Sequence, residues 1–199
     1  MMVSTCSDSG SGDEATSERT PAPPHGLALV IDFVNTLDVE TGTDELASVE
    51  GLSKWFSERG LIERRDAKPS ERDRRRAIEL REALRELMLA HTDGERVRGA
   101  GAALDRASRA GVLTVRFDAD GSAHVDADGA GFERALARLL IPIVAAGADG
   151  SWERVKACRA DDCAWAFYDR SRNRSGLWCD MAVCGNRTKV RAFRARRRR

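Results

Sequence analysis

The stretch CRADDCAWAFYDRSRNRSGLWCDMAVCGNR, residues 158–187, decides how this chain is read. It holds four of the five cysteines as two pairs of equal spacing, Cys158-x4-Cys163 and Cys179-x4-Cys184, with 15 residues between the pairs. Each pair closes a small loop and one longer loop joins them, so four sulfurs meet with little chain ordered. Tetrahedral zinc held by four thiolates needs that arrangement. Two disulfides would suit a secreted scaffold, and nothing in the sequence points to secretion. An iron–sulfur cluster also uses four cysteines but rarely sits in so basic a segment. The expected cofactor is therefore one Zn2+ per chain. With four protein ligands the ion has no open position, so its role is structural and not catalytic. So small a module buries little apolar surface, which makes metal binding a main source of its folding energy.

Between the pairs, Trp165, Phe167 and Tyr168 suit a short strand, and 169–176 read as a basic turn that contains Arg172 and Arg174. Three of the four tryptophans fall beyond residue 150 (Trp152, Trp165 and Trp178). They either form a small core around the metal or are exposed for stacking on bases. After Cys184 the sequence turns into a basic helix, CGNRTKVRAFRARRRR. At roughly 100° per residue, Arg187, Arg191, Arg194 and Arg198 fall on one stripe, and Lys189 adds to the charge. Val190 and Phe193 lie to one side, placed to dock on the metal core. No acidic residue follows Asp180, which excludes a face of paired charges within the helix. Such a helix suits a nucleic-acid backbone or groove, and the terminal Arg196–Arg199 run suits non-specific phosphate contacts.

Working outward, the whole chain has 199 residues with a net charge of +1. That balance conceals a split. Residues 151–199 carry 14 Arg and Lys against five Asp and Glu, whereas residues 1–150 carry 19 against 27. The basic piece calls for a polyanion and the acidic piece for another task. The longest apolar run, near Leu27–Val34, is broken by Asp32 and is too short to span a bilayer. No secretory signal is visible, so the expectation is a cytoplasmic protein with no membrane partner.

Residues 1–25, rich in Ser, Gly, Thr, Glu and Pro, read as a disordered leader containing the lone Cys6. Residues 26–148 read as an N-terminal domain. Leu27–Leu37 is a buried element, strand or helix. Ser48 caps a helix that buries Leu52, Trp55 and Phe56 and stops at Gly60. A longer helix spans about 69–90, with Ala77, Leu80, Leu84, Leu87 and Met88 on its inner stripe. Residues 95–109 read as helix, 113–117 and 123–126 as a hairpin, and 132–146 as a further helix that Pro142 kinks or ends. A small-residue junction at 145–151 marks the boundary before the finger, 151–199. The fold class is α+β, a mainly helical domain with a small β-hairpin followed by a four-cysteine module ending in a basic helix. Asp32, Asn35 and Thr36 interrupt the first apolar run. They either cap the first element or form the polar wall of a small-molecule pocket.

The tetrapeptide Cys184-Gly185-Asn186-Arg187, closing the second pair ahead of a basic helix, resembles the CGNR zinc finger. Phe33-Val34-Asn35-Thr36-Leu37, followed by Leu52, Trp55 and Gly60-Leu61, resembles the ABATE domain that precedes this finger. The resemblance covers about residues 26–198. It implies a bacterial, stress-related transcription regulator whose finger binds DNA, with the four cysteines as metal ligands. Gly185 is expected to leave room for close backbone, and Asn186 to bond a sulfur or the loop backbone. Arg187 either touches DNA or packs internally over an aromatic. The leading function is a regulator whose N-terminal domain senses an effector or forms a homodimer. The alternatives are an RNA-binding or ribosome-associated zinc protein and a protein-interaction adaptor. No enzyme is expected, because no His sits near a candidate nucleophile and no phosphate loop appears.

Overall fold

The computed structural model describes residues 21–63, 66–95 and 100–197. Cys6, most of the predicted leader and Arg198 lie outside the described residues. The first apolar run is a helix, α1 (Leu27–Val34), buried through Leu27, Val30, Phe33 and Val34. Neighbours on more than one side decide helix over strand here, since α1 packs against the later helices and against the finger.

Two-residue strands β1 (Leu37–Asp38) and β2 (Thr43–Asp44) form a ribbon that leads to α2 (Val49–Glu58). Ser48 Oγ accepts from the Gly51 N–H at 3.1 Å, the expected cap. Gly60, at φ +65°, stops the helix in the left-handed conformation that glycine adopts without strain. Helix α3 (Glu71–Asp93) is the longest element. It starts at a reciprocal capping box between Ser70 and Asp73. Helix α4 (Ala100–Ala110) and the antiparallel hairpin β3 (Val112–Phe117) and β4 (Ala123–Asp128) follow. Helix α5 (Gly131–Gly147) runs on past Pro142. The proline removes a single backbone donor, and its side chain is buried.

Phe33, Trp55, Phe56 and Phe132 centre the core, with neighbouring ring centroids 4.8–6.1 Å apart. The finger joins this core. Strands β5 (Val155–Ala157) and β6 (Ala166–Tyr168) pair antiparallel, and Val155, Ala157 and Ala166 are buried among the same side chains. The predicted junction thus falls between α5 and β5, but the chain on its two sides shares one apolar interior. Polar bonds sew the seam. The Asn35 side-chain amide donates to the Ala166 C=O at 3.0 Å and its oxygen accepts from the Ala166 N–H at 2.7 Å. Thr92 donates to the Ala157 C=O at 2.7 Å and His91 Nδ1 to the Val155 C=O at 2.8 Å. Arg85, buried on α3, donates to the carbonyls of Val34 (2.7 Å) and Ala164 (2.9 Å).

Candidate metal centre and basic helix

Each ligand pair is carried by a backbone that turns tightly. Cys158 directly follows β5, and its N–H donates to the Trp165 C=O at 2.9 Å. The chain reverses through 159–164, with Ala164 at φ +51°, and returns to β6 just after Cys163. The second pair ends in a π-helical turn, Met181–Gly185. Asp180 caps that turn, accepting from the N–H groups of Ala182 (2.7 Å) and Val183 (3.0 Å). Helix α6 (Asn186–Arg197) leaves directly from it.

The four sulfurs lie within 4.8 Å of one another. Cys163 and Cys179 are 3.6 Å apart, and Cys179 and Cys184 3.7 Å. A tetrahedron with zinc–sulfur bonds of about 2.3 Å requires sulfur separations of about 3.8 Å, so the donor set fits. The thiols themselves call for a cation. Burial pushes Cys163 up to about 11 and raises Cys179 further. Burial also works to raise Cys158, but hydrogen bonds from the Ala160 and Cys179 backbone outweigh it and lower that thiol. Four crowded sulfurs become thiolates together only when a metal charge balances them. The site fits a structural zinc ion, whose four coordination positions Cys158, Cys163, Cys179 and Cys184 would fill.

The surroundings of the centre differ from the sequence expectation in three ways. Of the finger's aromatics among the described residues, only Trp178 packs on the cysteine cluster. Trp152 and Tyr168 pack on the main core instead, because β5 and β6 dock there, while Trp165 is 37% exposed. Val190 and Phe193 do not dock on the metal core; they are 46% and 52% exposed. Helix α6 is held by polar contacts of Arg187 and Arg191 in its first two turns, and Val190 and Phe193 face away from the metal core. Finally, the helix does find acidic partners, from outside its own sequence neighbourhood. Arg187 pairs with Glu40 of the β1–β2 loop at 2.5 Å and approaches Asp162 at 3.6 Å. Arg191 pairs with Asp162 at 2.7 Å.

The tetrapeptide residues now have positions. A Cβ on Gly185 would come within 2.5 Å of Met181 Sδ and 3.1 Å of the Trp178 ring, so the space that glycine leaves is filled by side chains. The Asn186 amide donates to the Ala182 C=O at 3.0 Å and so ties loop backbone. Arg187 Nη2 is the group that approaches sulfur, 3.6 Å from Cys184 Sγ. Its guanidinium is also held protonated, first by the hydrogen bond to Glu40. Arg187 thus links the metal ligand to the helical domain.

Family comparison agrees with this geometry. Residues 154–197 match the CGNR zinc finger. Residues 27–150, more than half of the chain, match the ABATE family, described as "putative stress-induced transcription regulator". The chain belongs to the ABATE family. No match was found among curated proteins.

Within the ABATE region the predicted polar wall does not assemble. Asp32 is exposed, Asn35 is spent on Ala166, and Thr36 is buried, donating to the Phe33 C=O and accepting from Arg81. Asn35 caps the end of α1 and Thr36 closes onto the Phe33 C=O just past it, whereas Asp32 lies inside the helix and ends nothing. Arg81 and Arg85 were not foreseen. Arg81 grips Asp44 through two nitrogens at 2.7 and 3.1 Å. Both lie beside the apolar stripe of α3 (Ala77, Leu80, Leu84), and an arginine bordering such a stripe is the signal that could have found them. Lys156, one of four lysines in the chain, is likewise buried and bonds Asp169 at 2.8 Å. Burial alone would raise the Asp169 carboxyl, but the Lys156 ammonium and the Ser171 and Gly176 N–H donors hold it down at about 2. This buried pair anchors the loop in which Arg172 and Arg174 are exposed. Among the described residues, no hydrogen bond or ion pair joins Arg172 or Arg174 to α6.

Proposed function

We propose that the protein is a DNA-binding transcription regulator, with α6 as the element that meets DNA. The observation that carries this reading is the state of the helix. Every residue from Lys189 to Arg197 is exposed, and Lys189, Arg194, Arg196 and Arg197 have no acidic partner among the described residues. The zinc centre fixes the helix at one end, so the remainder projects as a rigid cationic rod of the size that a major groove admits. Arg187 and Arg191, engaged at the anchored end, act in positioning, and the outer residues make phosphate contacts. The role is binding rather than catalysis, because four thiolates leave the metal no open position. A DNA partner and free thiols both fit a reducing cytoplasm. Among the described residues, no helix is long and apolar enough to cross a membrane.

Titration of labelled duplex DNA, with RNA of the same sequence in parallel, tests the reading across a salt series. Four phosphate contacts give a log–log salt slope of about −3.6, and Arg194→Glu with Arg197→Glu should flatten it by roughly half. Binding indifferent to salt, or RNA bound at least ten times more tightly than DNA, overturns it.

A further inference from the structure

The strongest unassigned feature is a cleft of about 610 Å³ between α3, α4 and α5, away from the metal and from Asp32, Asn35 and Thr36. Five arginines line it: Arg72, Arg75 and Arg76 from α3, and Arg106 and Arg109 from α4. Among the described residues, only two carboxylates share the cleft. Glu133 takes Arg76 at 2.8 Å, and Glu79 takes Arg106 at 3.5 Å. Arg72 and Arg109 have no acidic partner among the described residues, and Arg75 feels Glu71 only through space. Three positive charges therefore remain uncompensated in one concavity of an otherwise acidic domain. The floor is apolar, formed by buried Leu80, Ala107 and Leu136.

We propose that this cleft binds a small phosphorylated organic anion, its phosphates on the arginines and its apolar body over Leu80, Ala107 and Leu136. The volume falls in the range of small-molecule sites. Planar guanidinium groups recognise phosphate through paired hydrogen bonds, and arginines converging from two helices repel one another until an anion neutralises them. A concave cleft with an apolar floor accepts a compact ligand rather than a duplex. The site also bears on the finger through one rigid element. Arg72, Arg75 and Arg76 lie in the first turns of α3, and Arg85, His91 and Thr92 of the same helix hold β5 and its flanking loop. The binding claim itself stands whatever α6 binds.

Calorimetric titration of the full chain with ATP, then with ATP in the presence of inorganic tripolyphosphate, tests it. ATP should bind one to one, and tripolyphosphate should compete. Arg72→Ala with Arg109→Ala should weaken binding at least tenfold, about 1.4 kcal/mol, without moving the thermal midpoint, because both side chains are exposed and unpaired. Arg194→Glu with Arg197→Glu, which disables α6, should leave ATP affinity unchanged. No binding, failure of tripolyphosphate to compete, or affinity that follows the α6 substitutions instead of the cleft substitutions overturns the proposal. A loss of DNA binding in the α6 variant alone would be a statement about α6 and not about the cleft.

Discussion

The aromatic cluster of Phe33, Trp55, Phe56 and Phe132 and the thiolate cluster of Cys158, Cys163, Cys179 and Cys184 solve one problem by different means. In the helical domain, apolar area removed from water offsets chain entropy. Beyond Leu177 there is almost no such area: among the described residues, the metal cluster adds only Trp178 there, with Ala160 from the first loop, to the cysteines, and α6 buries no residue. The β5–β6 hairpin stands between the two regimes. It carries two metal ligands at its turn, yet its strands lie in the apolar interior. The finger is therefore not one unit held by zinc. Its first half is built on the helical domain, and its second half depends on the ion.

Removing the metal should break the comparison most visibly. Structural zinc is worth about 10–16 kcal/mol in finger peptides. Chelation, or Cys158→Ser, should abolish hydrogen-exchange protection from Leu177 through α6 while α1–α5 and the β5–β6 strands stay protected. Uniform loss of protection across the chain would show that the two regimes are one. The converse test acts on the apolar side. Phe56→Ala should cost about 3–5 kcal/mol of global stability, yet the folded variant should still bind one zinc per chain by elemental analysis.

The buried Lys156–Asp169 pair sharpens the position of the hairpin. Asp169→Asn leaves the ammonium uncompensated and should cost about 3–5 kcal/mol. The pH dependence follows from the same carboxylate. Its folded value is about 2, below the ordinary value of about 3.9, so its contribution is complete above about pH 4 and is lost as pH falls toward 2. Urea unfolding at stepped pH should show that acid slope in the native chain and a reduced slope in the variant. The smallest effect is at the seam. Asn35→Ala removes two hydrogen bonds to Ala166 and should cost about 1–3 kcal/mol. Exchange of the Ala166 amide should accelerate more than exchange within α3; equal change in both would place Asn35 in the core rather than at the seam.

Much of this was legible in the residues. The paired x4 spacings give the metal centre, the three-and-four apolar spacing gives α3, and Ser48 and Gly60 give the ends of α2, because each of these signals is local. The sequence by itself thus determined the ligand set, the helices after α1 and the charge asymmetry. Only the tertiary structure decided what the polar residues do. Asn35 turned from a candidate pocket wall into a bridge to Ala166. Arg187 turned from a member of a free stripe into a link between Cys184 and Glu40, 147 positions away in the chain. Arg72 and Arg109 became two sides of one cleft. Apolar periodicity is written within a few turns of chain, whereas the partner of a buried or convergent charge is set by which distant segments pack together, and no local pattern encodes that distance.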